Sequence, residues 1–91
     1  MAQLVTAEGT IIDVEPKNGS DFTLKELQEF VGGFIEIYYL KNTYIIVMNE
    51  EGRIYNMPEN PKATEIMQKD FDQEILPVLG DVLFCESHQV K

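Results

Sequence analysis

The sequence is poor in residues that build catalytic and covalent sites. Among 91 residues there is one cysteine, Cys85, and one histidine, His88. A single cysteine excludes an intramolecular disulfide and a zinc site built on cysteines, and its apolar surroundings favour an inert core position. A nucleophile paired with His88 would depend on the last residues of the chain, whereas catalytic geometry must be rigid. We therefore predict no catalytic residue, no metal site and no cofactor.

Basic residues and long apolar runs are also scarce. Seven lysines and arginines stand against 16 acidic residues, which gives a formal net charge of −9. This balance works against binding nucleic acid or an anionic membrane through a basic patch. No run approaches the roughly 18 apolar residues of a membrane span, and the first residues lack the basic start and apolar core of a signal peptide. We expect a cytoplasmic protein that binds neither membrane nor nucleic acid directly.

A short helix is well defined between residues 24 and 31. Thr23 and Glu26 have the spacing of a capping box, so the helix should begin at Leu24. Gly32 can adopt the left-handed conformation that ends a helix, and Gly33 lets the chain turn into a strand. A phosphate-binding loop is excluded, because the glycines follow a helix and precede a strand.

Three apolar runs, 34–40, 44–48 and 53–57, predict an antiparallel meander with a loop at 41–43 and a turn at 49–52 in which Gly52 is left-handed. The register places one set of side chains against the helix and core: Ile35, Ile37, Tyr39, Ile45, Val47, Tyr55 and Met57. The other face holds Phe34, Glu36, Tyr38, Leu40, Tyr44, Ile46, Met48, Ile54 and Asn56.

This second face mixes apolar groups with a carboxylate and two tyrosines, which is typical of surfaces that a partner covers. The alternative is that the N-terminal hairpin or the C-terminal segment covers it, because exposed apolar patches are usually small. Glu36 interrupts an apolar strand. It is either a solvent-facing edge position or a polar anchor within a binding face.

The remaining segments complete an α+β domain. Residues 4–6 and 10–14 predict an N-terminal hairpin, and Asn60 followed by Pro61 predicts a second, short helix that fades near Lys69. The acidic stretch with Asp70, Asp72 and Glu74 lacks the later residues of a calcium loop and predicts a solvated loop. Residues 82–85 predict a strand buried on both faces, and 86–91 a frayed tail. We expect one domain over residues 1–91, with an antiparallel sheet of five or six strands and one main helix on a face.

The chain resembles a small family of uncharacterised domains associated with bacteriophage, plasmid and conjugative-element proteins of gut bacteria. The resemblance covers nearly the whole chain and is carried by residues 14–16, 22–36, 49–52, Asn60, 63–64 and 80–82. It implies a mobile-element origin and a cytoplasmic location, and it brings no catalytic residues. Its matching polar positions are Gln28, Glu36, Asn49, Glu50 and Asn60, although turn or cap roles could explain the last three.

Three functions follow as hypotheses. The first is a non-catalytic protein-interaction or accessory module, whose partner is another protein, or a second copy in a homodimer. Its candidate binding residues are Glu36, Tyr38, Tyr44, Gln28, Asn49 and Glu50. The second is an acidic DNA mimic that acts against a host defence enzyme. The third is a small enzyme, which would require an enclosed pocket with converging polar groups.

Overall fold

A computed structural model describes residues 2–71 and 73–90. In chain order, the described elements are β1 (Ala2–Val5), β2 (Ile11–Val14), α1 (Leu24–Val31), β3 (Ile35–Tyr39), β4 (Tyr44–Asn49), α2 (Pro61–Asp70) and β5 (Val82–Glu86). A short 3-10 helix, Ser87–Gln89, follows the last strand. The five strands form one antiparallel sheet with a helix on each face, so the α+β prediction is confirmed.

The sheet has the strand order β2-β1-β5-β4-β3, which puts the last strand of the chain at its centre. β5 pairs with β1 on one side and with β4 on the other. Leu83 and Cys85 face one hydrophobic cluster, while Val82 and Phe84 face the other. The prediction that this apolar run is buried on both faces is therefore confirmed.

Helix α1 covers one face of the sheet and has the predicted boundaries. Thr23 and Glu26 form both bonds of the capping box, and Gly32 ends the helix at φ 81°. Leu27 and Val31 pack on Ile45, Val47, Leu83 and Cys85 in the first cluster. Because the capping pair, the apolar spacing and the terminal glycine all favour the same segment, local sequence was sufficient to define this helix.

The β3–β4 hairpin has the predicted register. Ile37 pairs with Val47 and Tyr38 with Ile46 across a loop of residues 41–43. Ile35 and Ile37 pack against the first cluster, as predicted. Tyr39 shares their side of the strand but is 73% exposed, because the short helix α1 does not extend over the end of the hairpin.

The predicted third strand of the meander is wrong. Residues 50–56 form consecutive turns, Asn56 has φ 55°, and Ile54 and Tyr55 are exposed. The physical reason is that β5 occupies the free edge of β4 where this strand would have paired. Gly52 is buried but lacks the predicted positive φ. A Cβ there would lie 3.3 Å from Leu79 Cβ, so a side chain at this position would press on Leu79.

Helix α2 covers most of the second face. Ala63 and Met67 pack with Val78 on Ile46 and Met48 in the second cluster. The helix has the predicted cap, because the Asn60 side chain accepts from the Ala63 N–H and Pro61 occupies the first turn. The second face is thus covered largely by α2 and Val78, whereas the N-terminal hairpin and β5 lie within the sheet and do not cover it as the alternative predicted.

The C-terminal segment, for which a frayed tail was predicted, folds back onto the start of α1. The Phe22 N–H donates to the Gln89 carbonyl at 2.7 Å, and Gln89 is buried. Lys91 lies outside the described residues. Within the described part of the chain, neither helix is long and apolar enough to cross a membrane.

Glu26 predicts a specific pH dependence of stability. Its carboxylate accepts from the N–H groups of Thr23 and Lys17 at 2.9 and 3.0 Å. These bonds, the Thr23 bond most strongly, lower its pKa below the ordinary value of 4.5. A lowered pKa in the folded state adds stability above the ordinary pKa, and this stability is lost as the pH falls through the folded-state pKa.

We therefore expect Glu26→Gln to be less stable than wild type at about pH 7, with the difference shrinking towards about pH 3. Denaturant unfolding across this range measures the difference. Glu29→Gln, at an exposed position on the same helix, is the control and should follow the wild-type curve. A constant gap between Glu26→Gln and wild type would contradict the assignment.

Candidate site at the edge of the sheet

Strand β3 is an open edge of the sheet. At its two ends the Leu40 N–H donates to the Tyr44 carbonyl and the Glu50 N–H donates to the Phe34 carbonyl, both at 2.8 Å. Antiparallel strands alternate between residues that bond to the neighbour and residues that direct N–H and C=O away from it. The outward groups of β3 therefore belong to the alternate residues, Ile35, Ile37 and Tyr39.

This edge has little of the usual protection against pairing with another chain. Natural edges often carry lysine or proline, or have a bulge. β3 has the sequence Ile-Glu-Ile-Tyr-Tyr, whose only charged residue is Glu36. Exposed aromatic side chains lie at both ends of the strand, since Phe34, just before it, is 62% exposed and Tyr39, its last residue, is exposed as well. The edge is thus suited to accept an added strand.

A pocket of about 470 Å³, here called the edge pocket, lies beside β3 on the second face. β3 and β4 form one wall, residues 50–54 of the turn segment a second, and α2 with Phe71 and residues 75–79 a third. Its lining is mainly apolar and includes Met48, Met67, Phe71, Ile75, Val78 and Leu79. It is the part of the second face that α2 leaves uncovered.

The rim of the edge pocket is acidic. Glu36, Glu50 and Glu51 contribute three carboxylates to the lining, and Arg53 contributes the single basic group among the lining residues. Arg53 Nη2 donates to the Pro77 carbonyl at 3.0 Å, so it ties the turn segment to the opposite wall. The rim therefore favours a cationic group over an anionic one.

Four of the six predicted binding residues line this pocket: Glu36, Tyr38, Asn49 and Glu50. Glu36 is exposed on the edge strand, which was the first position considered for it, and it also lines the pocket; its role as a polar anchor of a binding face stays a prediction. Asn49 is buried, donates from Nδ2 to the Val31 carbonyl at 3.1 Å and accepts from the Glu51 N–H at 2.7 Å. Its side chain holds the turn rather than a ligand.

The other two predicted residues lie elsewhere. Gln28 lies in a separate cleft with Phe34 and Tyr55, at the end of α1. Tyr44 stacks on Phe84 with ring centroids 5.0 Å apart, so it packs within the fold. The sequence interpretation missed Arg53, although it is the single base between Lys41 and Lys62 and could have been recognised by that isolation.

The residues that might suggest chemistry are used structurally. Cys85 is buried, and burial raises the pKa of its thiol to about 11. The Asp70 carboxylate accepts from the Lys41 N–H at 3.1 and 3.2 Å, which joins the end of α2 to the β3–β4 loop. Asp72 lies outside the described residues. Among residues 2–71 and 73–90, no group of three histidine, cysteine or acidic side chains could hold a metal ion.

Asn60 is a structural anchor that joins α2 to the sheet. It is fully buried, and its Nδ2 donates to the carbonyls of Val5 and Gly80 at 2.9 and 2.8 Å. Its Oδ1 accepts from the Ala63 N–H at 3.1 Å, and its own N–H donates to the Val78 carbonyl at 2.7 Å. One side chain thus connects β1, α2 and the segment that leads into β5.

A family model described as Domain of unknown function (DUF3846) matches residues 4–90. The match spans both helices, strands β2 to β5 and the second half of β1, together with every residue that lines the edge pocket. No curated protein and no solved structure matches the chain. Function must therefore be argued from the geometry of the fold.

Asn60→Ala should lower the free energy of unfolding by about 3–5 kcal/mol, because it removes the side-chain bonds to the buried Val5 and Gly80 carbonyls and leaves the Ala63 N–H without its helix cap. Chemical denaturation measures the change. The control is Asn42→Ala in the exposed β3–β4 loop, which should change stability by less than about 0.5 kcal/mol. Equal effects of the two substitutions would contradict the anchoring role.

Asn60→Asp is the matched variant of nearly the same shape. Its carboxylate would face two carbonyl oxygens in a buried site, so its pKa should rise above that of the unfolded chain. A raised folded-state pKa gives stability that is present at low pH and lost as the pH rises. We expect the stability deficit of Asn60→Asp relative to wild type to be smaller at about pH 4 than at about pH 7.

Proposed function

Because the chain belongs to the DUF3846 family of domains of unknown function, we propose its function from the surface of the fold. It is a non-catalytic protein-interaction module that binds another protein by accepting a strand at the β3 edge. Main-chain hydrogen bonds supply the affinity in this mode of binding, and side chains on alternate positions supply the specificity.

The observation that carries the proposal is the combination of an open edge with exposed apolar side chains. Ile35, Ile37 and Tyr39 direct backbone groups outward, and no described residue bonds to them. Phe34 and Tyr39 are largely exposed beside them. In a chain with a net charge of −9, β3 is a nearly uncharged patch, with one charge among its five residues. Such patches are characteristic of interaction sites.

We place the protein in the cytoplasm of a bacterium that carries a mobile element, where it acts as an accessory factor. The support is the resemblance of its motifs to domains of phage, plasmid and conjugative-element proteins. Two of these motifs, residues 22–36 and 49–52, build α1, the start of β3 and the turn at the edge pocket. The resemblance thus includes segments that border the proposed binding edge.

The DNA mimic receives less support from the structure. The described acidic side chains are divided among the hairpin, both helices, β3, the turn segment and the C-terminal segment. A mimic must present rows of charge that match the phosphates of a duplex, and binding of that kind weakens steeply with salt. Strand addition depends mainly on backbone bonds and tolerates moderate salt better.

Tyr39→Pro should abolish partner capture while the fold is retained. The Tyr39 N–H points away from β4, so proline removes no ladder bond of the sheet but blocks an incoming strand. The measurement is affinity capture of tagged protein from its host at low and at moderate salt. Captured proteins are then tested for direct binding to purified wild type and variant.

Ile11→Pro is the matched control at the opposite edge. Ile11 begins β2, the other edge strand, and its N–H also points outward by the same alternation. It should capture the same partner as wild type. If Tyr39→Pro retains the partner as well as wild type does, the β3 edge is not the binding site. If Tyr39→Pro retains a partner that is lost only as the salt concentration rises, the result favours the DNA mimic.

A further inference from the structure

We propose that the partner segment is a strand that alternates basic and apolar residues, with the basic side chains on the edge-pocket side of β3. This inference rests on the proposed function, because it names the chemistry of the segment that the β3 edge accepts. It follows from which side chains a strand beside β3 would meet on its two faces.

An added strand would place its side chains alternately on the two faces of the sheet. On one face its neighbours are Glu36 and Tyr38, which also line the edge pocket. On the other face its neighbours are Ile35, Ile37 and Tyr39. The two faces differ in charge, so the two sets of side chains on the partner should differ as well.

The edge-pocket face favours basic side chains. Glu36 is exposed on β3, and Glu50 and Glu51 add two carboxylates at the same rim. The single arginine of the rim, Arg53, already donates to the Pro77 carbonyl. A lysine or arginine beside Glu36 would form an opposite-charge cross-strand pair, and its aliphatic stem could lie along the Tyr38 ring.

The opposite face favours apolar side chains. Ile35 and Ile37 are partly exposed there, at the margin of the first cluster, and Tyr39 is 73% exposed. The sequence of β3 places no charged residue on this face. Aromatic and β-branched side chains of the partner would pair with these residues and extend the cluster.

A second copy of the chain fits this edge less well. Antiparallel pairing centred on residue 36 would oppose the two Glu36 side chains directly, which is destabilising. Pairing centred on Ile37 avoids that contact but still brings the two acidic rims together, each with Glu36, Glu50 and Glu51. Each copy has a net charge of −9, so charge repulsion opposes self-association, whereas a basic partner would be attracted.

The test is selection from a displayed library of random peptides, each about 12 residues long, which exceeds the length of β3 and suits a strand of typical size. Wild-type protein is the bait, and peptides that also bind Tyr39→Pro are removed. We expect the remaining peptides to alternate lysine or arginine with aromatic or β-branched residues. The binding constant of one such synthetic peptide is then measured by titration.

Charge variants then test the pairing with Glu36. Glu36→Gln should lower the affinity for the selected peptide by roughly two- to fivefold, and Glu36→Lys should lower it by about tenfold or more. Both effects should shrink at high salt. Glu15→Gln, at an exposed position beyond the opposite edge strand, is the control and should bind as wild type does.

The outcomes separate this inference from the function on which it rests. If peptides are selected that require the β3 edge but are neutral or acidic, the basic-partner inference is overturned and strand addition stands. If no peptide is selected and wild type is a dimer that the Tyr39→Pro substitution dissociates, the strand that pairs with β3 comes from a second copy of the chain, and the basic-partner inference is overturned. If no peptide is selected and wild type is monomeric, both the inference and the proposed binding mode are overturned.

Discussion

The buried side chain of Asn60 is the interaction on which the architecture depends. It caps α2, bonds to a carbonyl at the end of β1 and bonds to the Gly80 carbonyl just before β5. These segments are far apart in sequence, and a single amide satisfies their backbone groups in a site without water access. Because these bonds join buried backbone groups of three separate segments, they favour one position of α2 over the second face.

The position of α2 decides which surface remains free. Anchored near β1 and β5, the helix fills the second face over the central strands and leaves the β3 end as the edge pocket. α1 covers the opposite face but is too short to cover Tyr39. The fold therefore leaves one nearly uncharged strand with outward backbone groups beside an acidic rim. An open edge strand is sufficient for an interaction module of this kind, since the affinity comes from backbone groups that every partner strand possesses.

Local signals in the sequence were sufficient for most elements. The capping box at Thr23, the Asn60-Pro61 pair and the 41–43 loop each act within a few residues, and each predicted an observed feature. The failures involve long-range contacts. Residues 53–57 have the composition of a strand, but β5 pairs with β4 and leaves them no edge. Nothing local indicates that the last strand of the chain inserts between β1 and β4.

For the candidate site, too, the sequence predicted local features and missed those that depend on long-range contacts. Glu36 and Tyr38 were found because their strand and register were predicted correctly. Tyr44 was assigned to the same surface, but its ring stacks on Phe84 of β5, whose position was unknown. Arg53 was placed in a strand and its bond to Pro77 could not be anticipated. The positions of the pocket side chains from Met67, Phe71 and residues 75–79 depend on how α2 is anchored, which only the tertiary structure reveals.

Amide hydrogen exchange along β3 tests the central claim most directly. In the free protein, the amides of Glu36, Tyr38 and Leu40 bond to β4 and should exchange slowly, whereas those of Ile35, Ile37 and Tyr39 should exchange rapidly. Binding of a partner strand should slow the second set selectively. If Ile35, Ile37 and Tyr39 are already protected in the free monomer, the edge is not open, and the account of β3 as the binding strand is wrong.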